Sequence, residues 1–167
     1  MNRRVFEARR DGSVDAALGE PEAGVLRDVA ADLLSELDEP GENSVRWFPP
    51  AYTDDPAREE EFARMTRDDL VSHKRAAARG VIDSIDAGAR RRGVWSARLS
   101  PEQAATWAGV LNDARLYLGT KLNITEEAEH EPRAGDDPEA QMHNLYLFLS
   151  ALQGLLIEEL LQTLPNR

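Results

Sequence analysis

The stretch SPEQAATWAGVLNDARLYLG, residues 100–119, decides the class of fold. Ser100 stands where a helix needs a capping hydroxyl, Pro101 fills a first-turn position that has no use for an N–H, and Gln103 sits third, where its amide reaches back to the cap. Beyond this start, Ala104, Trp107, Ala108, Leu111, Ala114 and Leu118 recur at three- and four-residue spacing up to Gly119. The spacing predicts an amphipathic helix over 100–118 with one face buried.

Just before it, VWSARL at 94–99 sets Val94, Ser96 and Arg98 against Trp95, Ala97 and Leu99, the alternation of a half-buried strand. At the other end of the sequence, VFEARR and SVDAAL flank Asp11-Gly12, a pair that favours a tight turn because glycine takes positive φ freely. These segments predict a β-hairpin over 1–18, with 94–99 as a possible third strand beside it. Helices are expected at 20–38, where Pro21 precedes Leu26, Val29, Leu33 and Leu37, and at 56–65, opened by Asp55-Pro56. A third is expected over 66–92, with Thr66 and Asp69 as a capping box. Its C-terminal Arg90, Arg91, Arg92 and Gly93 read as a cationic last turn with a glycine cap. The Ala76–Ala78 run and Gly80 predict a neighbouring helix packed closely there.

Residues 138–164 are apolar nearly all round, which predicts the central helix, or a helix whose outer face forms a homodimer. Ser150, Gln153 and Glu158-Glu159 interrupt the apolar run, so a membrane span is not expected. Before it, residues 125–137 are strongly acidic with hardly any apolar group, the pattern of a mobile loop. The expectation is a mainly α, α+β single domain over 1–167: a five-helix bundle-like body with a small N-terminal antiparallel sheet of two or three strands.

Composition agrees with a globular chain: 167 residues, 41% hydrophobic and 31% charged, with 11 glycines and 9 prolines. The formal charge of −11 disfavours coating of nucleic acid or anionic membrane by the overall field. The signs are segregated, however. Arg3, Arg4, Arg9 and Arg10 crowd the hairpin, residues 73–98 are basic, and 54–69 is acidic, as suits docking by complementary patches. With no cysteine there is no disulfide, thiolate metal site or thiol nucleophile, and a cytoplasmic setting is expected.

No constellation points to chemistry. His73, His130 and His143 lie on different segments without a second ligand at helical spacing, and the acidic loop around His130 lacks the ordered alternation of a calcium site. No cofactor or metal is expected. Asp54-Asp55 and Asp68-Asp69 fall at expected helix starts, where the free N–H groups account for them. There is no phosphate-cradling glycine loop and no nucleophile elbow. Trp47, Phe48 and Tyr52, around Pro49-Pro50, either pin a loop to the core or present a partner-binding surface.

Three stretches, PPAYTDDPAREEEFARMTRDDL (49–70), LNDARLYLGTKLNI (111–124) and LYLFLSALQGLLIEEL (145–160), resemble the domain of unknown function 2017 family. The resemblance implies a small cytosolic actinobacterial protein, often encoded beside the Clp protease adaptor. Some members are described as oxidative-stress transcriptional regulators that sense oxidant through an N-terminal thiol pair and engage an alternative sigma factor. The hairpin from Val5 to Leu18 has no cysteine, so that switch is closed to this sequence.

The expected function is a non-enzymatic protein-interaction or regulatory module, docking through Arg3, Arg4, Arg9, Arg10, Trp47, Phe48 and Tyr52. The alternatives are direct nucleic-acid binding by the arginine face, and a cryptic hydrolase or metal-dependent enzyme.

Overall fold

The computed structural model describes residues 4–39, 41, 46–124 and 131–163. Chain order is β1 (Phe6–Ala8), β2 (Val14–Gly19), α1 (Glu20–Asp38), α2 (Pro56–Ala87), β3 (Ala89–Arg91), β4 (Val94–Leu99), α3 (Pro101–Lys121) and α4 (Pro138–Gln162). Mainly helical with a small antiparallel sheet is correct. The described residues hold four helices and four strands, where five helices and two or three strands were expected.

Two local causes account for the difference. The chain from Pro56 runs through Thr66 without a break, because the Thr66 hydroxyl donates to the Phe62 carbonyl one turn back instead of capping a new helix. The same helix stops at Ala87, earlier than the arginines. Trp95 donates its indole N–H to the Ile85 carbonyl at 2.8 Å, satisfying a last-turn acceptor from a neighbouring strand. A Cβ on Gly88 would lie 2.1 Å from that indole nitrogen, so only glycine fits. Arg90 and Arg91 therefore belong to β3, and Arg92 (φ 54°) with Gly93 (φ 76°) makes the two-residue turn of a second hairpin.

The sheet order is β1-β2-β4-β3, all antiparallel, so both hairpins are joined through β2 and β4. Opposed pairs Val14–Leu99, Ala16–Ala97 and Leu18–Trp95 face the helices, while Asp15–Arg98 and Ala17–Ser96 face the other way. Asp11 builds the first turn by accepting from the Ser13 N–H and hydroxyl, with Gly12 at φ 83°.

The core joins the inner sheet face to α1, α2, α3 and α4. Trp95 stacks on Trp107 at 5.6 Å, and Phe6 meets Trp107 edge-on at 6.5 Å. Trp107 also donates to the Ser84 hydroxyl, tying α3 to α2. The predicted Ser100–Gln103 capping box is present in both directions.

The central helix is α3, which touches all three other helices and β4, rather than α4. Helix α4 lies outside, on α3 and β1. It buries Leu149, Leu152 and Leu156 but leaves Leu155, Ile157 and Leu161 exposed. An apolar helix has no phase that marks its inner face, so composition alone could not place it. By length and composition α4 is apolar enough to cross a membrane. Arg115 ties it to α3 through Ser150 (2.8 Å) and Gln153.

Part of the predicted mobile loop, 125–130, lies outside the described residues. Residues 131–137 run back along α4: Asn144 bonds both the N–H and the carbonyl of Arg133, and Asp137 caps the helix.

Candidate interaction surface

The side chains that point away from the helices on β1, β2 and β4 are Glu7, Asp15, Ala17, Ser96 and Arg98. Glu7 and Arg98 are exposed, and Asp15, Ala17 and Ser96 are half-buried. With Arg4, Arg9 and the end of α2 they line an open basin of about 730 Å³. Its lining mixes small residues, among them Ala17, Ala89 and Ser96, with the charged Arg4, Glu7, Arg9, Asp15 and Arg98.

Asp15 organises the charged lining. It accepts from Arg98 Nε at 2.7 Å across the β2–β4 pair, and from Arg9 Nε at 2.8 Å from the β1 side. Arg9 also reaches Glu7 at 3.4 Å. The hydrogen bond from Arg98, then that from Arg9, holds the Asp15 carboxyl below its ordinary value against the opposing effect of burial. Both guanidiniums are thereby spread on the sheet with N–H groups to spare, since each carries five donors. Arg98 remains 62% exposed.

Of the expected site residues, Arg4 and Arg9 sit on this face, while Arg10 is exposed in the β1–β2 turn. Arg3 lies outside the described residues. Lys74 and Arg75, from the basic stretch 73–98, do not line this basin and are paired with Asp113 and Asp38. Arg98 and Asp15 escaped the sequence reading. Alternation set Arg98 against Trp95 and Leu99 on its own strand, but only the β2–β4 register pairs it with Asp15.

The aromatics divide. Trp47 is buried, donating to the Asp113 carbonyl at 2.8 Å and stacking on Tyr117 at 5.6 Å, so its ring is taken up by the fold. Phe48 is half-buried under the Arg67 guanidinium. Tyr52 meets Phe62 edge-on at 5.7 Å, with Arg58 over its ring.

Asp113 is the partly buried carboxylate of the helix layer; burial raises its pKa, opposed by the 2.7 Å bond from Lys74. His143 is buried with Nε2 3.2 Å from the Glu131 carbonyl, His73 is exposed on α2, and His130 is outside the described residues. Among the described residues no three His, Asp or Glu side chains gather as a metal site would require.

The fold and this surface define a helical α+β domain with one open, arginine-lined sheet face. A family profile described as a domain of unknown function, DUF2017, matches residues 2–160. The chain belongs to that family. It is also similar to the protein named oxidative stress regulator AosR from Mycobacterium bovis and from two strains of Mycobacterium tuberculosis. Each is 32% identical over 90 residues, which is 53% of this chain and 38% of the relative. The match therefore spans well under half the length of those relatives. No solved structure matches.

Proposed function

We propose that the chain is a non-enzymatic regulatory module of the cytosol that acts by docking a protein partner on its open sheet face. The observation that carries this reading is the convergence of Arg4, Arg9 and Arg98 on an open face, where they outnumber the carboxylates Glu7 and Asp15, in a chain of net charge −11. A cationic patch against a negative body orients an acidic partner surface and speeds its encounter. The relatives named as oxidative stress regulators support a regulatory role. The family resemblance points to a sigma factor or a Clp component as the partner. With no cysteine in these 167 residues, regulation here works by binding rather than by a disulfide.

The same arginines favour a second reading, nucleic acid. Against it, a sheet that reads single strands offers aromatic rings for stacking, whereas this face is lined by small and charged residues. Phe6, Trp95 and Trp107 all lie on the opposite side, in the core.

The test is affinity capture from an actinobacterial lysate with the wild type and with Arg4→Gln/Arg9→Gln/Arg98→Gln. A polymerase, sigma-factor or Clp protein retained by the first and lost by the second supports docking. Recovery of none of them counts against it, and a gel shift of DNA or RNA at low salt would favour the second reading.

A further inference from the structure

Helix α2 extends beyond the body of the protein: its buried residues, Ala78, Val81, Ser84 and Ile85, all lie in its C-terminal third. At 1.5 Å per residue its 32 residues span about 48 Å, so the N-terminal half is an arm. At about 100° per residue, Phe62, Met65, Asp69, Ala76, Gly80 and Ala87 fall on one stripe of the helix, turned away from its buried face. The two ends of that stripe differ. The arm end carries large apolar side chains, Met65 at 71% exposure and Phe62, which is packed edge-on against Tyr52 on one side and still 39% exposed. The body end is a trough of about 1070 Å³ between α2 and α3, floored by Ala76, Gly80, Ala87, Ala105 and Gly109.

We propose that a second copy of this chain fills the trough: two α2 helices pair antiparallel about a twofold axis between Ser72 and His73, each arm entering the partner's α2–α3 groove. A twofold contact uses the same patch on both copies, so the patch must be self-complementary. This one is, in shape and in charge. The axis carries Met65 onto Gly80 and Phe62 into the gap bounded by Gly80, Asp83 and Ala87. There is room, because a Cβ on Gly80 would find its nearest neighbour, the Thr106 methyl, at 3.8 Å, and one on Gly109 would find nothing within 4 Å. Arg58, one turn before Phe62 on the same stripe, is carried onto Ala87, beside the trough carboxylates Asp83 and Glu102. Among the described residues none of these three has an ion-pair partner within its own chain, and the Arg58 guanidinium rests only on the Tyr52 ring. The exposed leucines of α4 offer a second apolar face, but without a complementary trough on the same stripe.

Because the chain contains no cysteine, single-cysteine variants report the pairing directly. On the proposed axis Ser72→Cys lies against its own counterpart and should form an intermolecular disulfide under mild oxidant. Met65→Cys should not, since its counterpart sits 15 residues along the pair, about 22 Å away, beyond disulfide reach. Light scattering should give a dimer for the wild type, and Met65→Glu should raise its dissociation constant at least about tenfold. Met65 is exposed, so circular dichroism should be unchanged in that variant. The proposal is overturned by a wild-type monomer, by a disulfide at Met65→Cys without one at Ser72→Cys, or by a dimer that survives Met65→Glu and is lost in Leu155→Glu.

Discussion

Trp95 donates its indole N–H to the Ile85 carbonyl, and this bond from strand to helix ends α2 and positions β3 beside β4. The contact requires that residue 88 have no side chain. Gly88→Ala would place a methyl 2.1 Å from the indole nitrogen, so either the ring or the chain must move. Overpacking and the lost bond together should cost about 2–4 kcal/mol in urea unfolding. Gly154→Ala, in α4 with nothing within 4 Å of the added carbon, should instead stabilise by about 0.5–1 kcal/mol.

Trp107 in α3 and Leu149 in α4 are 1% and 0% exposed. Trp107→Ala should cost about 3–5 kcal/mol and Leu149→Ala about 2–5 kcal/mol, read from the shift in denaturant midpoint at unchanged slope. Trp107→Phe removes the bond to Ser84, whose hydroxyl still donates to the Val81 carbonyl, so the loss should be only about 0.5–1.5 kcal/mol.

Asp15 and Asp113 should give opposite pH dependences. Bonds from Arg98 and Arg9 hold the folded Asp15 below the unfolded carboxylate value, so its contribution is present above about pH 4 and is lost as pH falls through the folded value. Burial raises Asp113, so its contribution is full below about pH 4 and is lost as pH rises through its higher folded value. Asp15→Asn should flatten the acid loss below about pH 4. Asp113→Asn should remove a gain on acidification above about pH 4, and unfolding midpoints across that range measure both.

Much of this fold was legible in local chemistry. The Ser100–Gln103 box, the Asp11-Gly12 turn and the Asp55-Pro56 start all rest on groups a few residues apart, and all appear where expected. What misled was chemistry that serves two structures equally. Arg-Arg-Arg-Gly after a helical pattern suits a cationic helix end, and it also suits a strand and a positive-φ turn; the bond from Trp95 decides between them. Thr66 and Asp69 have a cap's spacing, yet a hydroxyl bonded back to Phe62 fits a continuous helix as well. The site was half legible for the same reason. Arg4 and Arg9 were visible as a cluster, but Arg98 joins them only through a pairing of strands some 80 residues apart.

Salt should separate the arginine face from the apolar contacts. Affinity for a captured partner should fall as ionic strength rises, because Arg98 and Arg9 are solvent-exposed and their fields are screened within about 10 Å at 0.1 M salt. The Ser72→Cys disulfide should be less sensitive, because the pairing also rests on the apolar contacts of Phe62 and Met65.

The central claim is that partners dock on the β1-β2-β4 face, and the most direct measurement is the dissociation constant of the captured partner for two variants beside the wild type. Arg4→Gln/Arg9→Gln/Arg98→Gln should weaken it by at least about tenfold, a loss of about 1.4 kcal/mol or more. Arg27→Gln, which removes a cation paired with Asp86 away from that face, should leave it unchanged. Equal affinity of the wild type and the triple variant would contradict the account.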